Sequence, residues 1–294
     1  MKKWSEGLLR AKGGDDTIAV DLQIEFAERL TQPQREALTQ YVLDSSRLQK
    51  EQWRQLREVM TILAHSVVNI AGAIRTFERF YYEEIDIPHA ESFLAQLLTC
   101  ADVERDGARI QADIARAIVE RFQNQGFFQP GLVETYYLLA FCLYRWWNFA
   151  RGYLFEVSLC RDLEQSNIVF AAHDLSQPGE RYSDCDLMVL GLKGDIKRSL
   201  YFLDDLARTP LAHDFYLTRL FHPQTRRPLL VAVMTERTWD EINGDTVIIP
   251  MEEAASYLPQ VVQVDVQGLT LFIADYHLWK EKVRSQQAFL SGRR

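Results

Sequence analysis

The spacing of apolar residues changes character at Gln129-Pro130-Gly131, and that change constrains the fold of this 294-residue chain more than any other feature. Before it, apolar side chains recur every three or four residues among Glu, Arg and Gln, the period of helices with one buried face. Leu56, Val59, Met60, Leu63, Val67 and Ile70 form one such stripe, and Ile110, Ile114, Ala117 and Ile118 another. The pattern from about Asp21 to Phe128 predicts four or five helices, with breaks at Gly13-Gly14, Gln32-Pro33, Ile87-Pro88 and Gln125-Gly126 and N-caps at Thr31 and Asp44.

After the change a long aromatic helix is expected from about Leu132 to Gln165. Strand-like runs follow at Asn167 to Ala172, Asp186 to Leu190 and Asp195 to Arg198, then a short helix at Leu200 to Ala207. Further strands are expected at Phe215 to Phe221, Leu229 to Thr235, Thr246 to Ile249, Val261 to Val266 and Leu269 to Ala274, and a basic amphipathic helix at Tyr276 to Phe289. The expected fold class is α/β, α+β overall. A helical region, 1–130, would serve partner binding, homo-oligomer formation or substrate placement, and a mixed-sheet domain, 131–294, would follow it.

Composition narrows the function classes. A formal net charge of -8 excludes a protein that coats nucleic acid with bulk positive charge, so any such contact must be local. Cys100, Cys142, Cys160 and Cys185 are scattered with no metal-ligand spacing and read as reduced thiols of an intracellular, cytoplasmic protein. The basic start MKKWSEGLLRAKGG is followed by no apolar h-region, so no secretory signal is expected. The most apolar run, Leu132 to Phe149, is interrupted by Glu134 and Arg145 and reads as a buried helix; no membrane association is expected.

The chemistry concentrates in Ser183 to Ser199. Side chains alternate across a strand, so Asp195 and Lys197 share one face while Ile196 points to the other, and Asp184 and Asp186 share a face by the same rule. Carboxylates are hard ligands suited to Mg2+ or Mn2+, and a lysine beside them can steady phosphoryl charge. Asp186 faces Asp195 if the hairpin turns around Leu190-Gly191. A turn at Gly191 to Gly194 would instead put Asp186 opposite Ser199, about 13 Å from Asp195.

The order helix, strand, Asp-bearing strand, Asp-x-Lys strand, helix, strand over Leu132 to Thr235 resembles the PD-(D/E)xK, or restriction-endonuclease-like, nuclease superfamily. Gly152-Tyr153-Leu154-Phe155-Glu156 with Leu163 looks like its first-helix motif, Asp186 matches the second-strand acid, and Asp195-Ile196-Lys197 matches the (D/E)xK. The resemblance implies a nuclease acting on DNA or RNA, with Glu156, Asp186, Asp195 and the Ile196 carbonyl on Mg2+ or Mn2+, Asp184 assisting, and Lys197 positioning or activating water. Arg181, Lys193, Arg198, Arg226 and Arg227, with Arg219 and Arg237, form a candidate phosphate-contacting rim.

Other interpretations use the same residues. Ser183-Asp184-Cys185-Asp186-Leu187 also resembles the S-D-x-D-L metal motif of nucleotidyltransferases, although the Gly-Ser pair that family needs upstream is replaced by Ala171-Ala172-His173. A nuclease-like but non-catalytic scaffold is a third possibility. Glu156 could simply pair with Arg151 or Arg161, and His173, His213, His222 and His277 read as surface or satisfied histidines rather than ligands.

Overall fold

In a computed structural model of the chain, residues 21–26, 29–128, 131–177, 179–180, 183–204, 206, 210–235, 238 and 247–292 are described. The fold is mixed α/β. It divides into two compact units, Met1–Ala150 and Arg151–Arg294, and the division falls inside a long helix. Gln129 and Pro130 of the expected boundary, Gly13-Gly14, and the rim residues Arg181 and Arg237 lie outside the described residues.

The first unit is helical with one small sheet. Strand β1 (Leu22–Glu25) precedes helices α1 (Gln32–Asp44) and α2 (Lys50–His65), then β2 (Val67–Ile70) and β3 (Ala73–Thr76). Helix α3 (Phe77–Tyr81) runs through a π-helical turn, Tyr82–Asp86, into α4 (Ile87–Thr99), followed by α5 (Val103–Asn124) and the start of α6 (Glu134–Gln165). Thr31 caps α1, its N–H bonded to Gln34 Oε1 at 2.9 Å, and Asp44 caps a short 3-10 turn by accepting from the Ser46 N–H. The Ile87-Pro88 site does not break the chain's helical course: the π-helical turn precedes the proline, and the Glu84 carbonyl four residues before Pro88 accepts from Arg121 Nη1 at 2.7 Å.

The stripe that began at Leu56 stays helical and buried through Leu63, but Val67 and Ile70 belong to β2, paired antiparallel with β1 and β3. Their spacing continued the helical phase, so the strand was hidden. The helix ends at Ser66, whose backbone is already extended, and the turn Ala71-Gly72, where both residues have positive φ, fixes a β2–β3 hairpin.

The second unit is built on an eight-stranded mixed sheet. Its strands are β4 (Ala171–Ala172), β5 (Leu187–Val189), β6 (Leu192–Ile196), β7 (Phe215–Phe221), β8 (Pro228–Thr235), β9 (Val247–Ile248), β10 (Val262–Val266) and β11 (Leu269–Asp275). A one-turn helix α7 (Ala254–Tyr257) precedes β10, and α8 (Tyr276–Ser291) follows β11. The spatial order is β4-β5-β6-β7-β8-β11-β10-β9, with β6–β7 and β9–β10 parallel and the other pairs antiparallel.

Phe155, Leu159 and Leu163 of α6 and Trp279 and Val283 of α8 pack with Leu187, Ile196, Leu217 and Ala232 on one side of this sheet. Tyr216, Val231, Val233, Val264 and Leu271 form a second core on the other side. A partly buried polar clamp holds α8 to α6: Lys280 Nζ lies 2.6 Å from Asp162 Oδ2 and 2.9 Å from Ser166 Oγ, and the Tyr276 hydroxyl donates to the same carboxylate at 2.8 Å.

Two expected elements are shorter. Of Asn167 to Ala172, only Ala171–Ala172 is strand: Asn167 has positive φ as α6 ends, and both backbone groups of Val169 bond to the Gln287 side-chain amide instead of a neighbouring strand. The helix expected at Leu200 to Ala207 is a 3-10 turn, Leu200–Leu203, within the described residues.

Candidate functional site

The β5–β6 hairpin sets the site. Leu187 pairs with Gly194, Met188 with Lys193 and Val189 with Leu192, leaving Leu190-Gly191 as a two-residue turn with φ of 55° and 80°. Of the two registers open on sequence grounds, this one brings Asp186 and Asp195 opposite each other. Gly194 serves packing instead of turning: a Cβ there would overlap the Phe215 ring of the neighbouring strand.

Asp195 ends up 5% exposed, and its Oδ2 lies 2.7 Å from Lys197 Nζ, as their shared strand face implies. Asp186 sits just before β5; its N–H donates to the Gly194 carbonyl at 3.1 Å and its Oδ2 accepts from the Ile196 N–H at 2.7 Å. The two aspartates are hydrogen-bonded to each other. Burial, the bond to Asp195 and the charge of Glu156 push the Asp186 carboxyl up to about 8, so it holds the shared proton. Asp195, where burial is outweighed by the bonds from Asp186 and Lys197, is held below the usual carboxylate range. For Lys197, burial opposes the charge but Asp195 overrides it, so the amine is an ammonium at neutral pH.

Glu156 reaches the cluster from α6 and is 6% exposed. Its partner is neither Arg151 nor Arg161 but His173, whose Nε2 is hydrogen-bonded to Glu156 Oε1. The other ring nitrogen, Nδ1, lies 2.8 Å from Ser183 Oγ, and that hydroxyl donates to the Cys185 carbonyl at 2.8 Å. The serine oxygen therefore accepts from His173 Nδ1–H, which leaves Nε2 pointing at the carboxylates. Burial lowers the histidine pKa, but Glu156 and then Asp186 reverse this and raise it.

Ligand atoms of Glu156, His173 and Asp186 lie within 4.8 Å of one another, close enough for one ion to touch all three. Cys160, one turn further along α6, does not join as a thiolate, because burial and the charges of Glu156 and Asp186 push its thiol up to about 12. All four cysteines are free.

A second layer frames Asp195. Tyr216 is its register partner on β7, and the Tyr216 hydroxyl accepts from the Ala212 and His213 N–H groups at 3.1 and 3.2 Å. His213 Nε2 donates to the Asp184 carbonyl at 2.6 Å, leaving Nδ1 3.7 Å from Asp195 Oδ2.

No family model, curated protein or solved structure matches this chain. The site stands on its own geometry.

Glu156, Asp186, Asp195 and Lys197 are thus brought together, while other expected residues are not. Asp184 is exposed and precedes the strand, which starts only at Leu187, so period-two alternation does not put it on a face with Asp186. The Ile196 side chain is core, and its amide donates to Asp186. Lys193 is exposed, its backbone bonded at both ends to Asp214. Arg226 and Arg227 occupy the exposed turn after Phe221, five residues of strand, or about 17 Å, beyond the level of Tyr216 and Asp195.

His173 and His213 were missed as participants. The available signal was His173 following the short run Ala171-Ala172, directly before the acidic segment. Both of its ring nitrogens are satisfied, and it is also one of the clustered donors.

Proposed function

We propose that this chain is a divalent-metal-dependent phosphodiesterase that hydrolyses DNA or RNA. The observation that carries the proposal is the convergence of Glu156, His173 and Asp186 donors within 4.8 Å, beside an Asp195–Lys197 pair at 2.7 Å. The residues also follow the order, helix then acidic hairpin then parallel strand, that the PD-(D/E)xK resemblance implies.

The donor set fits a divalent ion. Two carboxylates and an imidazole whose far nitrogen is fixed by Ser183 suit Mn2+, which takes oxygen and nitrogen ligands, better than Mg2+, which prefers oxygen alone. When bound, the ion supplies Lewis acidity toward a phosphoryl oxygen. Lys197, an ammonium held by Asp195 yet 46% exposed, presents positive charge to a phosphoryl group and a donor to an attacking water. It is not a base. Asp184, which a nucleotidyltransferase needs at the ion beside Asp186, is not among the clustered donors, which favours hydrolysis over nucleotidyl transfer.

Incubating labelled DNA and RNA oligonucleotides with the full chain in Mn2+, Mg2+ or EDTA tests the proposal. Cleavage is expected in Mn2+, weaker in Mg2+ and absent in EDTA, and Lys197→Ala should slow it at least about 100-fold with the fold intact. Cleavage by Lys197→Ala at the wild-type rate would overturn it.

A further inference from the structure

Two arginines run side by side where β6 leaves the sheet. Ile196 pairs with Leu217 in the parallel β6–β7 ladder and the Lys197 amide donates to the Leu217 carbonyl at 3.0 Å, so Arg198 and Arg219 follow two residues further along neighbouring chains. The Arg219 guanidinium carbon lies 4.4 Å from the centre of the Phe155 ring. Arg151 is one helical turn before Phe155, on the same side of α6.

These positive charges crowd one another. Although solvent reaches Arg198, partial desolvation and then the charges of Arg151 and Arg219 lower its pKa. Among the described residues, neither Arg198 nor Arg219 has an ion-pair partner. Like charges on adjacent strands destabilise a sheet, and an anion between them would reverse the sign.

We propose that Arg151, Arg198 and Arg219 form a subsite that grips a backbone phosphate of a nucleic-acid strand, an inference that rests on the phosphodiesterase assignment of the adjoining acidic site. The two sites are continuous in the chain, since Phe155 precedes Glu156 and Arg198 follows Lys197. Arg198 lies three residues beyond Asp195, at most about 10 Å along the backbone and so within about three stacked nucleotides, on the Ile196 side of the sheet where α6 carries Phe155 and Glu156. The guanidinium fork matches phosphate oxygens two at a time, and stacking on Phe155 orders Arg219 before the strand arrives. In a chain of net charge -8, a local cationic focus of this kind is what nucleic-acid contact requires.

Fluorescence anisotropy of labelled single-stranded DNA and RNA oligonucleotides, titrated with the full chain in EDTA, reads the subsite without requiring hydrolysis. Arg198→Gln combined with Arg219→Gln should weaken binding about tenfold to a hundredfold for both polymers and reduce the salt slope by about one for each phosphate no longer neutralised. Arg198→Lys with Arg219→Lys should restore the slope but only part of the affinity. If the double Gln variant fails to fold, Arg198→Gln alone, at an exposed position, should still weaken binding about tenfold. Unchanged affinity and salt slope would overturn the subsite, and inorganic pyrophosphate binding as tightly as the oligonucleotides would overturn its assignment to a strand. Arginine-dependent binding without cleavage in any divalent ion would uphold the subsite and overturn the hydrolase.

Discussion

Asp186 and Asp195 face each other one pair beyond Leu187–Gly194 in the β5–β6 hairpin, their carboxyl groups joined by a hydrogen bond. Asp186 holds the proton, Lys197 is paired with Asp195, and the bond to Glu156 raises the pKa of His173. At about pH 6, below even the ordinary histidine value, His173 is protonated and the charges of the site cancel. A divalent ion ligated by Asp186 and His173 displaces one proton from each and leaves that neutrality unchanged.

Proton release upon Mn2+ binding follows from this exchange. Calorimetric titration in buffers of different ionisation enthalpy at about pH 6, where both groups hold their protons, should show about two protons released per ion. Binding with no proton release would contradict the exchange.

The metal-free protein should lose stability as pH rises. Asp186 has a folded pKa near 8 against an unfolded value near 4, so its contribution is fully present below about pH 4 and is lost as pH rises through about 8. His173, also raised, has the same sign and loses its contribution through its folded pKa. Asp162 is lowered, chiefly because the bonds from Lys280 and Tyr276 outweigh burial, so its contribution is lost instead as pH falls through its folded pKa. Thermal melts from about pH 5 to about pH 8 should show a falling midpoint that saturating Mn2+ flattens. A rising midpoint without metal would count against these protonation states.

His173→Ala should weaken Mn2+ binding about tenfold to a hundredfold and shift ion preference toward Mg2+. Ser183→Ala should do so more mildly, since it frees the imidazole tautomer without removing the ligand. Calorimetry with each ion measures both effects, and unchanged Mn2+ affinity in His173→Ala would remove the histidine from the centre.

Gly194→Ala should cost about 1–3 kcal/mol, because the Phe215 ring that it would strike is itself buried core. A lowered melting midpoint accompanied by weaker Mn2+ binding is expected, since the Gly194 carbonyl also holds the Asp186 amide. A variant as stable as the parent would show that the packing at Phe215 is loose.

What the sequence revealed of the site was its local part. Asp195 and Lys197 share a face by alternation alone, whereas Glu156 was marked only by the resemblance of Gly152 to Glu156 to a first-helix motif. Glycine usage alone suggests a turn over Gly191 to Gly194, yet the chain turns at Leu190-Gly191; the choice depends on Phe215, twenty-one residues after Gly194, whose ring needs the space that Gly194 leaves. His173 joins through contacts to Glu156 and Ser183 that no local period encodes. In the first unit, β2 was hidden because Val67 and Ile70 keep the phase of the helix before them. Their pairing with β3 across the Ala71-Gly72 turn and with β1, more than forty residues earlier, marks them as strand.

Anomalous scattering from a crystal of the full chain soaked in Mn2+ tests the central claim most directly. A single manganese peak within ligand distance of Glu156, His173 and Asp186, about 2.0–2.3 Å from each donor, is the predicted result. No peak there, or manganese bound only elsewhere on the surface, would contradict the assignment.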